Sequence, residues 1–177
     1  MHPQSTNRAP SIRTLASDEW RTYQNLRLRA LADSPDAFAR TLLEEQSRQD
    51  TEWSARLASG TGSRWDLPLV AEVDAEPIGL AWGRIDQTDP DVAYLYQMWV
   101  DPNFRRLGAG GMLLAAIVAW ATAADARHLN LGVTCGTPAM RLYTCAGFKP
   151  VGKPRPIRPG SALLGQSMQL GLRGLAA

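Results

Sequence analysis

Cysteine and histidine are scarce in this sequence, which limits the metal sites and disulfides that it can form. It contains two cysteines and two histidines in 177 residues. Cys135 and Cys145 show no CxxC spacing and have no neighbouring histidine cluster of the kind that holds zinc, so we expect no metal site. Because disulfides are rare in the cytosol, we expect a cytoplasmic protein with both thiols reduced.

A long hydrophobic run is also missing, and neither sign of charge dominates. No segment approaches the run of about 20 apolar residues that spans a membrane, and the N-terminus lacks the apolar core of a signal peptide. The 17 acidic residues nearly balance the 19 basic residues. Such a balance gives no net field that would attract nucleic acid or a membrane surface, so we expect neither as a partner.

The length of the chain allows one well-buried core and is too short for two ordinary domains. We therefore predict a single domain over residues 1–177, in keeping with a composition that is 45% hydrophobic. Residues 1–10 are polar and include Pro3 and Pro10, which predicts a flexible start to that domain.

The first part of the chain carries mainly helical patterns. Residues 12–15 are expected to form a short strand. Ser17 opens a helix-start signature, and apolar residues then recur at helical spacing as far as Pro35. Residues 36–59 are charged with spaced apolar side chains, which predicts one or two further helices that end at Gly60.

The pattern then changes to that of a sheet. Residues 67–73 and 78–85 predict an antiparallel hairpin. The most strand-prone segment is VAYLYQMWV at 92–100, which is too apolar for an exposed edge and is expected in the centre of the sheet. A helix and another strand follow it, which predicts a crossover between parallel strands. The later elements are predicted as a helix at 112–126, a strand at 129–134, a helix at 138–145, a strand at 148–151, a loop at 153–160 and a strand at 166–172.

Three glycines, Gly108, Gly110 and Gly111, lie between the central strand and the helix that follows it. The first N–H groups of a helix have no intrahelical partner, and together with the helix dipole they bind phosphate oxygens. Glycines leave that approach open, although glycines before a helix also serve simple close packing. The spelling fits neither a Walker loop, GxxxxGK[ST], nor a Rossmann fingerprint, which would need glycine at Leu113.

Two motifs resemble those of one known family. The run M-W-V-D-P at 98–102, followed by R-x-x-G-x-G at 105–110, resembles the signature of the GNAT superfamily of N-acetyltransferases. In that superfamily an apolar strand, a V-D-P stop and a glycine turn hold the pyrophosphate of acetyl-CoA. The run T-P-A-M-R-L-Y at 137–143, followed by A-G-F at 146–148, is similar to the later motif of the same superfamily.

The resemblance implies a fold, an activity and a co-substrate. The expected fold class is α/β, the three-layer acyl-CoA N-acyltransferase fold, with a mixed, mostly antiparallel sheet of six to seven strands and helices on both faces. The expected activity is that of an acyltransferase with acetyl-CoA as co-substrate and no metal. Homodimers are common among proteins that look like this.

The resemblance also implies where coenzyme A binds. In similar proteins the strand that carries residues 98–100 separates from the next strand at a bulge, and the pantetheine arm bonds to backbone groups in the gap. Gly136 stands where the family commonly has asparagine, so a contact to the cofactor is missing or is supplied by Thr137. The residues expected to bind acetyl-CoA are Met98, Trp99, Val100, Arg105, Arg106, Leu107, Gly108, Ala109, Gly110, Gly111 and Thr137.

The proton transfers need an acid and a base. Tyr143 matches a tyrosine that the family often keeps close to the cofactor sulfur, where a phenol with a pKa of about 10 can protonate the departing thiolate. The alternative is a ring that only packs behind the cofactor. The central strand has no Asp, Glu or His, and Gln97 either positions a water or is an ordinary sheet glutamine. Glu72, on a neighbouring strand, is the candidate base; the alternative is an exposed carboxylate without a catalytic role.

These features together predict an N-acetyltransferase that moves an acetyl group to a primary amine of an unidentified small molecule. One alternative keeps the enzyme class but makes the acceptor a protein or peptide N-terminus or a lysine. Another is a non-catalytic acyl-CoA-binding regulatory module, which the missing carboxylate in the central strand makes conceivable. Cys135 lies beside the site, but direct transfer without an acyl-enzyme suits the family.

Overall fold

The strands form one mixed sheet whose order follows the chain as far as the fifth strand. A computed structural model describes residues 9–172 of the chain, so most of the predicted flexible start lies outside the described residues. The sheet order is β1-β2-β3-β4-β5-β7-β6, and every neighbouring pair is antiparallel except β4 with β5. The strands are β1 (Ser11–Thr14), β2 (Asp66–Val73), β3 (Glu76–Ile85), β4 (Val92–Val100), β5 (His128–Thr134), β6 (Lys149–Pro156) and β7 (Leu164–Gly171).

Local sequence signals start several of the helices. The Thr41 side chain accepts a hydrogen bond from the N–H of Glu44, and the Glu44 side chain accepts one from the N–H of Thr41; this capping box begins the second helix. Thr137 caps the last helix through its side chain, ahead of Pro138. None of the helices within residues 9–172 is long and apolar enough to cross a bilayer. The helices are α1 (Trp20–Asp33), α2 (Leu42–Gln46), α3 (Asp50–Gly60), α4 (Ala109–Ala123) and α5 (Pro138–Cys145), with 3-10 turns at Pro35–Ala37 and Pro102–Phe104.

Each face of the sheet buries its own hydrophobic core. On one face α1 and α3 cover β2, β3 and β4, and the ring of Tyr23 packs there against those of Trp53 and Trp82. On the other face α4 and α5 pack against strands from both halves of the sheet, with Leu113 and Ile117 fully buried. Helices on both faces of a seven-stranded, mostly antiparallel sheet confirm the predicted three-layer fold.

The predicted centre of the sheet and its crossover are confirmed. Strand β4 lies between β3 and β5, with three strands on each side. Helix α4 connects β4 to β5, and the two strands are parallel. The succession of a strand, a glycine turn, a helix and a second strand in the sequence was therefore sufficient to predict the parallel crossover from β4 to β5.

Helix α4 begins and ends three residues earlier than the predicted 112–126. It begins at Ala109 because Gly108 takes a left-handed conformation, with φ of 89°, and turns the chain into the helix. It ends at Ala123 because Asp125 also has a positive φ, of 63°, and the N–H of Ala126 bonds back to the carbonyl of Ala121. That bond closes the last turn in the manner of a Schellman motif.

The prediction of a loop at 153–160 is wrong for residues 153–156, which belong to a strand. Strand β6 continues to Pro156, so the connection to β7 is shorter than expected. Prolines are tolerated there because β6 is the edge of the sheet and pairs only with β7, so one side of its backbone needs no ladder partner. Proline spacing alone could not distinguish an edge strand from a loop.

Candidate active site

A β-bulge interrupts β4 in the middle of the sheet. Leu80 of β3 pairs with Trp99 and Trp82 pairs with Tyr96, so two residues of β4 stand opposite one of β3. One of them, Gln97, has a φ of 57°, which is uncommon for a residue other than glycine. The expected bulge is present, and it begins just before the residues expected to bind coenzyme A.

Strands β4 and β5 separate after only three pairs. Val92, Ala93 and Tyr94 pair with residues 128–130 of β5, and the ladder stops there. Both strands continue, β4 to Val100 and β5 to Thr134, without hydrogen bonds between them. The backbone N–H and C=O groups on the facing edges are thereby available to an extended ligand, the arrangement that strand addition uses.

The glycine turn opens towards solvent at the start of α4. The first helical bond runs from the N–H of Met112 to the carbonyl of Gly108, so the N–H groups of residues 109–111 have no acceptor within the helix. A Cβ atom placed on Gly108 or on Gly111 would meet no protein atom within 4 Å. The helix start is thus bare, as a phosphate group requires.

Three of the expected elements converge at Gly110. A Cβ atom placed there would lie 3.8 Å from Leu142 Cδ2 of α5 and 3.9 Å from both Met98 Cε and Val100 Cγ2 of β4. The helix start, the strand after the bulge and the helix of the later motif therefore meet at one place. The two sequence motifs, which are separate along the chain, therefore lie side by side in the structure.

Arg105 does not stand free beside the turn as a phosphate donor. Its Nη2 donates to Oδ2 of Asp33 at 2.6 Å, and its Nε donates to the carbonyl of Val100 at 2.9 Å. Its role in the structure is to fasten the turn to the end of α1 and β4. Arg106 is exposed and makes no ion pair with any described residue, so it is the cation that remains available at the turn.

Asp33, which sequence reasoning missed, lies at the candidate site and contacts two of the residues expected to bind acetyl-CoA. Its Oδ2 accepts from Arg105 and also from Trp99 Nε1 at 2.9 Å. Burial acts to raise the pKa of Asp33, but the hydrogen bonds from Ser34, Trp99 and Arg105 together lower it below its ordinary value. The Asp33 carboxylate therefore binds both the indole of Trp99, which follows the bulge, and Arg105, which precedes the glycine turn.

Tyr143 lies on α5, buried to 6% exposure. Its ring packs edge-on against Phe148, with 5.7 Å between the centroids, and its hydroxyl has no hydrogen-bond partner among the described residues. Burial raises the pKa of Tyr143 to about 12, so the phenol is protonated at neutral pH. Within the part of the chain that the structure describes, the hydroxyl is therefore a proton donor without an acceptor.

The hydroxyl of Thr137 is occupied by the helix cap. It donates to the carbonyl of Thr134 at 2.8 Å and accepts from the N–H of Met140 at 3.3 Å. The hydroxyl proton of Thr137 is therefore not available to a cofactor, and a hydrogen bond donated from this residue would use its backbone N–H. A contact from Thr137 in place of the asparagine that the family commonly has at the position of Gly136 stays a prediction.

The candidate base Glu72 is held by an arginine on the neighbouring strand. Arg13 donates to both of its carboxylate oxygens, at 2.6 Å and 3.1 Å, and also binds Glu19. Both carboxylate oxygens are engaged, so Glu72 could take a proton from an amine only by giving up a hydrogen bond to Arg13. At the bulge itself, Gln97 Oε1 accepts from the hydroxyl of Tyr23 at 3.0 Å, a contact that the sequence did not suggest.

Solved structures with the same fold include several acetyltransferases. One from Streptococcus pneumoniae, described as a GNAT-family acetyltransferase, superposes with a TM-score of 0.79 at 20% identity over 92% of this chain and 98% of that one. A putative acetyltransferase from Salmonella typhimurium, solved with its cofactor acetyl-CoA, has a TM-score of 0.76 at 19% identity over 96% and 97% of the two chains. A ribosomal-protein-S18-alanine N-acetyltransferase from Escherichia coli has a TM-score of 0.66 at 20% identity over 92% and 94%.

Identities at this level show the fold alone, and a search of curated proteins finds no match to this chain. A family model gives the further evidence. It describes the acetyltransferase (GNAT) family and matches residues 15–148, which are more than half of the chain and contain the bulge, the glycine turn and Tyr143. The chain therefore belongs to the acetyltransferase (GNAT) family.

Proposed function

We propose that this protein transfers the acetyl group of acetyl-CoA to a primary amine of a small molecule. The observation that carries the proposal is the bare helix start at Gly108 and Gly111 beside the opening between β4 and β5. A diphosphate and an extended pantetheine arm need these two features side by side. Family membership and the bound acetyl-CoA of the Salmonella typhimurium structure support the choice of donor.

Each part of the donor would have its own contacts. The N–H groups of residues 109–111 would hold the phosphates, with Arg106 as the nearby cation. The backbone of residues 98–100 would pair with the pantetheine arm along the open edge of β4. Leu107 and Arg105 would act through the shape of the turn, since Arg105 is bound to Asp33.

Acetyl-CoA would supply a thioester carbonyl that an amine can attack, with formation of a C–N bond and loss of the C–S bond. Tyr143 would give its proton to the sulfur that leaves, which its pKa of about 12 allows because the phenol is still protonated at neutral pH. Backbone N–H groups at the bulge would polarise the carbonyl oxygen. The proton lost by the amine would pass to water near Gln97, since Glu72 is paired with Arg13.

A thiol-release assay with acetyl-CoA tests the proposal over a panel of small amines, peptides and proteins. We expect release with at least one small amine. Release with peptides or proteins alone would contradict the small-molecule acceptor, and tight acetyl-CoA binding without release from any acceptor would favour a non-catalytic module.

Two variants connect that assay to the site. Tyr143→Phe is expected to lower turnover by about 100-fold while acetyl-CoA affinity stays the same. Gly108→Val is expected to abolish acetyl-CoA binding, because it puts methyl groups on the bare face and strains a residue with φ of 89°. Circular dichroism checks that each variant is folded, and unchanged turnover in Tyr143→Phe would refute the acid role.

A further inference from the structure

Two guanidinium nitrogens of Arg27 are buried without hydrogen-bond partners. The residue lies on α1, one turn after Tyr23, and is only 4% exposed. Its Nε and Nη1 atoms are shielded from solvent and have no hydrogen-bond partner among the described residues. A guanidinium in this condition loses hydration without full compensation, which destabilises the fold unless another group pairs with it.

The neighbouring side chains do not supply that group. Glu45 is fully buried, and its Oε2 accepts from Arg48 Nε at 3.0 Å and lies 3.6 Å from Arg56 Nη1. Its Oε1 is also buried and has no hydrogen-bond partner among the described residues. No ion pair joins it to Arg27 within the described residues. The ring of Phe38 stacks on the Arg27 guanidinium, with 4.6 Å between the ring centroid and Cζ, and this contact gives none of the N–H groups a hydrogen-bond acceptor. Burial lowers the pKa of Arg27, and the Glu45 charge acts in the opposite direction.

The position of Arg27 connects it to the opening between the strands. On the same face of α1, Tyr23 reaches the bulge through its hydrogen bond to Gln97. Phe38 belongs to residues 35–38, which cross to the far side of the opening: the hydroxyl of Thr134, at the end of β5, donates to the carbonyl of Asp36 at 2.5 Å.

A second contact fastens the same segment. Arg158, in the connection between β6 and β7, donates to the carbonyl of Phe38 at 3.1 Å. Arg27 therefore lies beneath a segment that bridges the separated halves of the sheet, on the side of the sheet where the bulge meets α1.

We infer that Arg27 binds a carboxylate of the acceptor, so that the acceptor is a small amine that also carries a carboxylate, as an amino acid does. This inference rests on the proposed function and identifies its substrate class. A carboxylate would supply the missing acceptors for the buried N–H groups. Because the two nitrogens are shielded from solvent, the Phe38 ring must move aside for the carboxylate to enter.

The same charge argues against polycationic acceptors. A polyamine or an aminoglycoside would bring several positive charges to a buried arginine that has no paired carboxylate among the described residues, which costs binding free energy. A peptide N-terminus would present no carboxylate at the corresponding position next to its amine. The inference therefore separates amino acids from the other classes of acceptor.

The test compares L-amino acids with their primary amides in the thiol-release assay. The amide keeps the amine and the side chain and lacks the carboxylate, and its amine loses a proton more readily, so any preference for the acid comes from the protein. We expect kcat/KM to be at least about 10-fold higher for the acid. Arg27→Met should reduce that ratio by about 10- to 100-fold, through KM for the acid, while acetyl-CoA affinity is unchanged.

Arg40→Gln is the matched control, since Arg40 is an exposed arginine whose charge acts on Arg27. It removes the same charge from the same region without touching the buried guanidinium. We expect its acid-to-amide ratio to stay within about twofold of wild type. If Arg27→Met and Arg40→Gln reduce the acid-to-amide ratio equally, the preference comes from the positive charge of the region as a whole. That result would overturn a specific contact with Arg27.

The outcomes distinguish this inference from the proposed function. Thiol release with equal kcat/KM for acids and amides overturns the carboxylate site and leaves the proposed acetyltransferase activity intact. An acid-to-amide ratio in Arg27→Met equal to that of wild type has the same meaning. A water that bridges Arg27 and Glu45 would give either result. Should no acceptor release thiol, thermal unfolding of the coenzyme A complex with amino acids or amides decides. If amino acids raise the unfolding temperature of the wild-type complex but not that of the Arg27→Met complex, the carboxylate site is supported. If amino acids do not raise the unfolding temperature of the wild-type complex, the carboxylate site is overturned.

Discussion

The replacement of Gly111 by alanine should make the protein more stable and its cofactor binding weaker. Gly111 is the third residue of α4, and a Cβ atom on it would meet no protein atom within 4 Å. The added methyl therefore costs no packing strain in the free protein. It would stand on the bare face of the helix start, where we propose that a phosphate approaches the N–H groups.

The two effects can be estimated separately. Alanine is a better helix former than glycine by roughly 0.5–1 kcal/mol, and we expect the lower end of that range in a first helical turn. A charge-assisted hydrogen bond from a phosphate contributes about 1.5–3 kcal/mol, so losing one raises the dissociation constant by about 10- to 100-fold. Opposite signs for stability and affinity would not result from simple damage to the fold.

Chemical denaturation and isothermal titration with coenzyme A measure the two quantities on the same sample. Gly110→Ala provides the comparison, because its methyl points into the protein and lies 3.8–3.9 Å from Leu142, Met98 and Val100. We expect Gly110→Ala to weaken coenzyme A binding less than Gly111→Ala does. If Gly111→Ala raises stability and leaves the affinity for coenzyme A unchanged, the phosphates do not lie at this helix start and the reasoning is refuted.

Three further predictions concern the acid, the anchor of the turn and the packing of α4. Because the pKa of Tyr143 is about 12, Tyr143→Phe should lower turnover by a constant factor between about pH 7 and about pH 10; an alkaline limb in that range that vanishes in the variant would contradict this. Asp33→Asn should cost about 1 kcal/mol in unfolding free energy and weaken coenzyme A binding. Since the folded pKa of Asp33 is lowered, its contribution is present above the unfolded pKa and is lost as the pH falls through the folded value, so the difference between wild type and variant should shrink in acid. Gly83→Ala should destabilise by about 1–3 kcal/mol because its methyl would lie 2.7 Å from the Trp120 ring, whereas Gly132→Ala, with no atom within 4 Å, should not.

Most of the fold was predictable because its signals are local. The patterns of apolar, proline and glycine residues predicted most of the helices and strands, and the strand, glycine turn and helix predicted the parallel crossover of β4 and β5. The errors lie at boundaries. The start of α4 was predicted three residues too late because its first turn is glycine-rich. The end of β6 was predicted too early because proline is tolerated in an edge strand.

The predicted site residues fall into two groups. Residues 98–100 and 108–111 come together because the backbone of one strand-turn-helix unit positions them, and neighbouring sequence determines that backbone. Arg105 was selected from the motif and Glu72 for its charge. Both are bound to partners far along the chain, since Asp33 lies 72 residues before Arg105 and Arg13 lies 59 before Glu72. Charge alone could not predict these pairings.

By itself, the sequence determined the family, the order of the elements and the open helix start, since each depends on residues close together in the chain. Only the tertiary structure decided which charged groups are paired and which are left without a partner. In the sequence, nothing distinguishes Arg27 from the other arginines of the first helix. In the structure it is buried where α1, α2 and residues 35–38 meet. The physical reason is that desolvation and ion pairing depend on what surrounds a side chain in space, and residues distant in sequence form those surroundings.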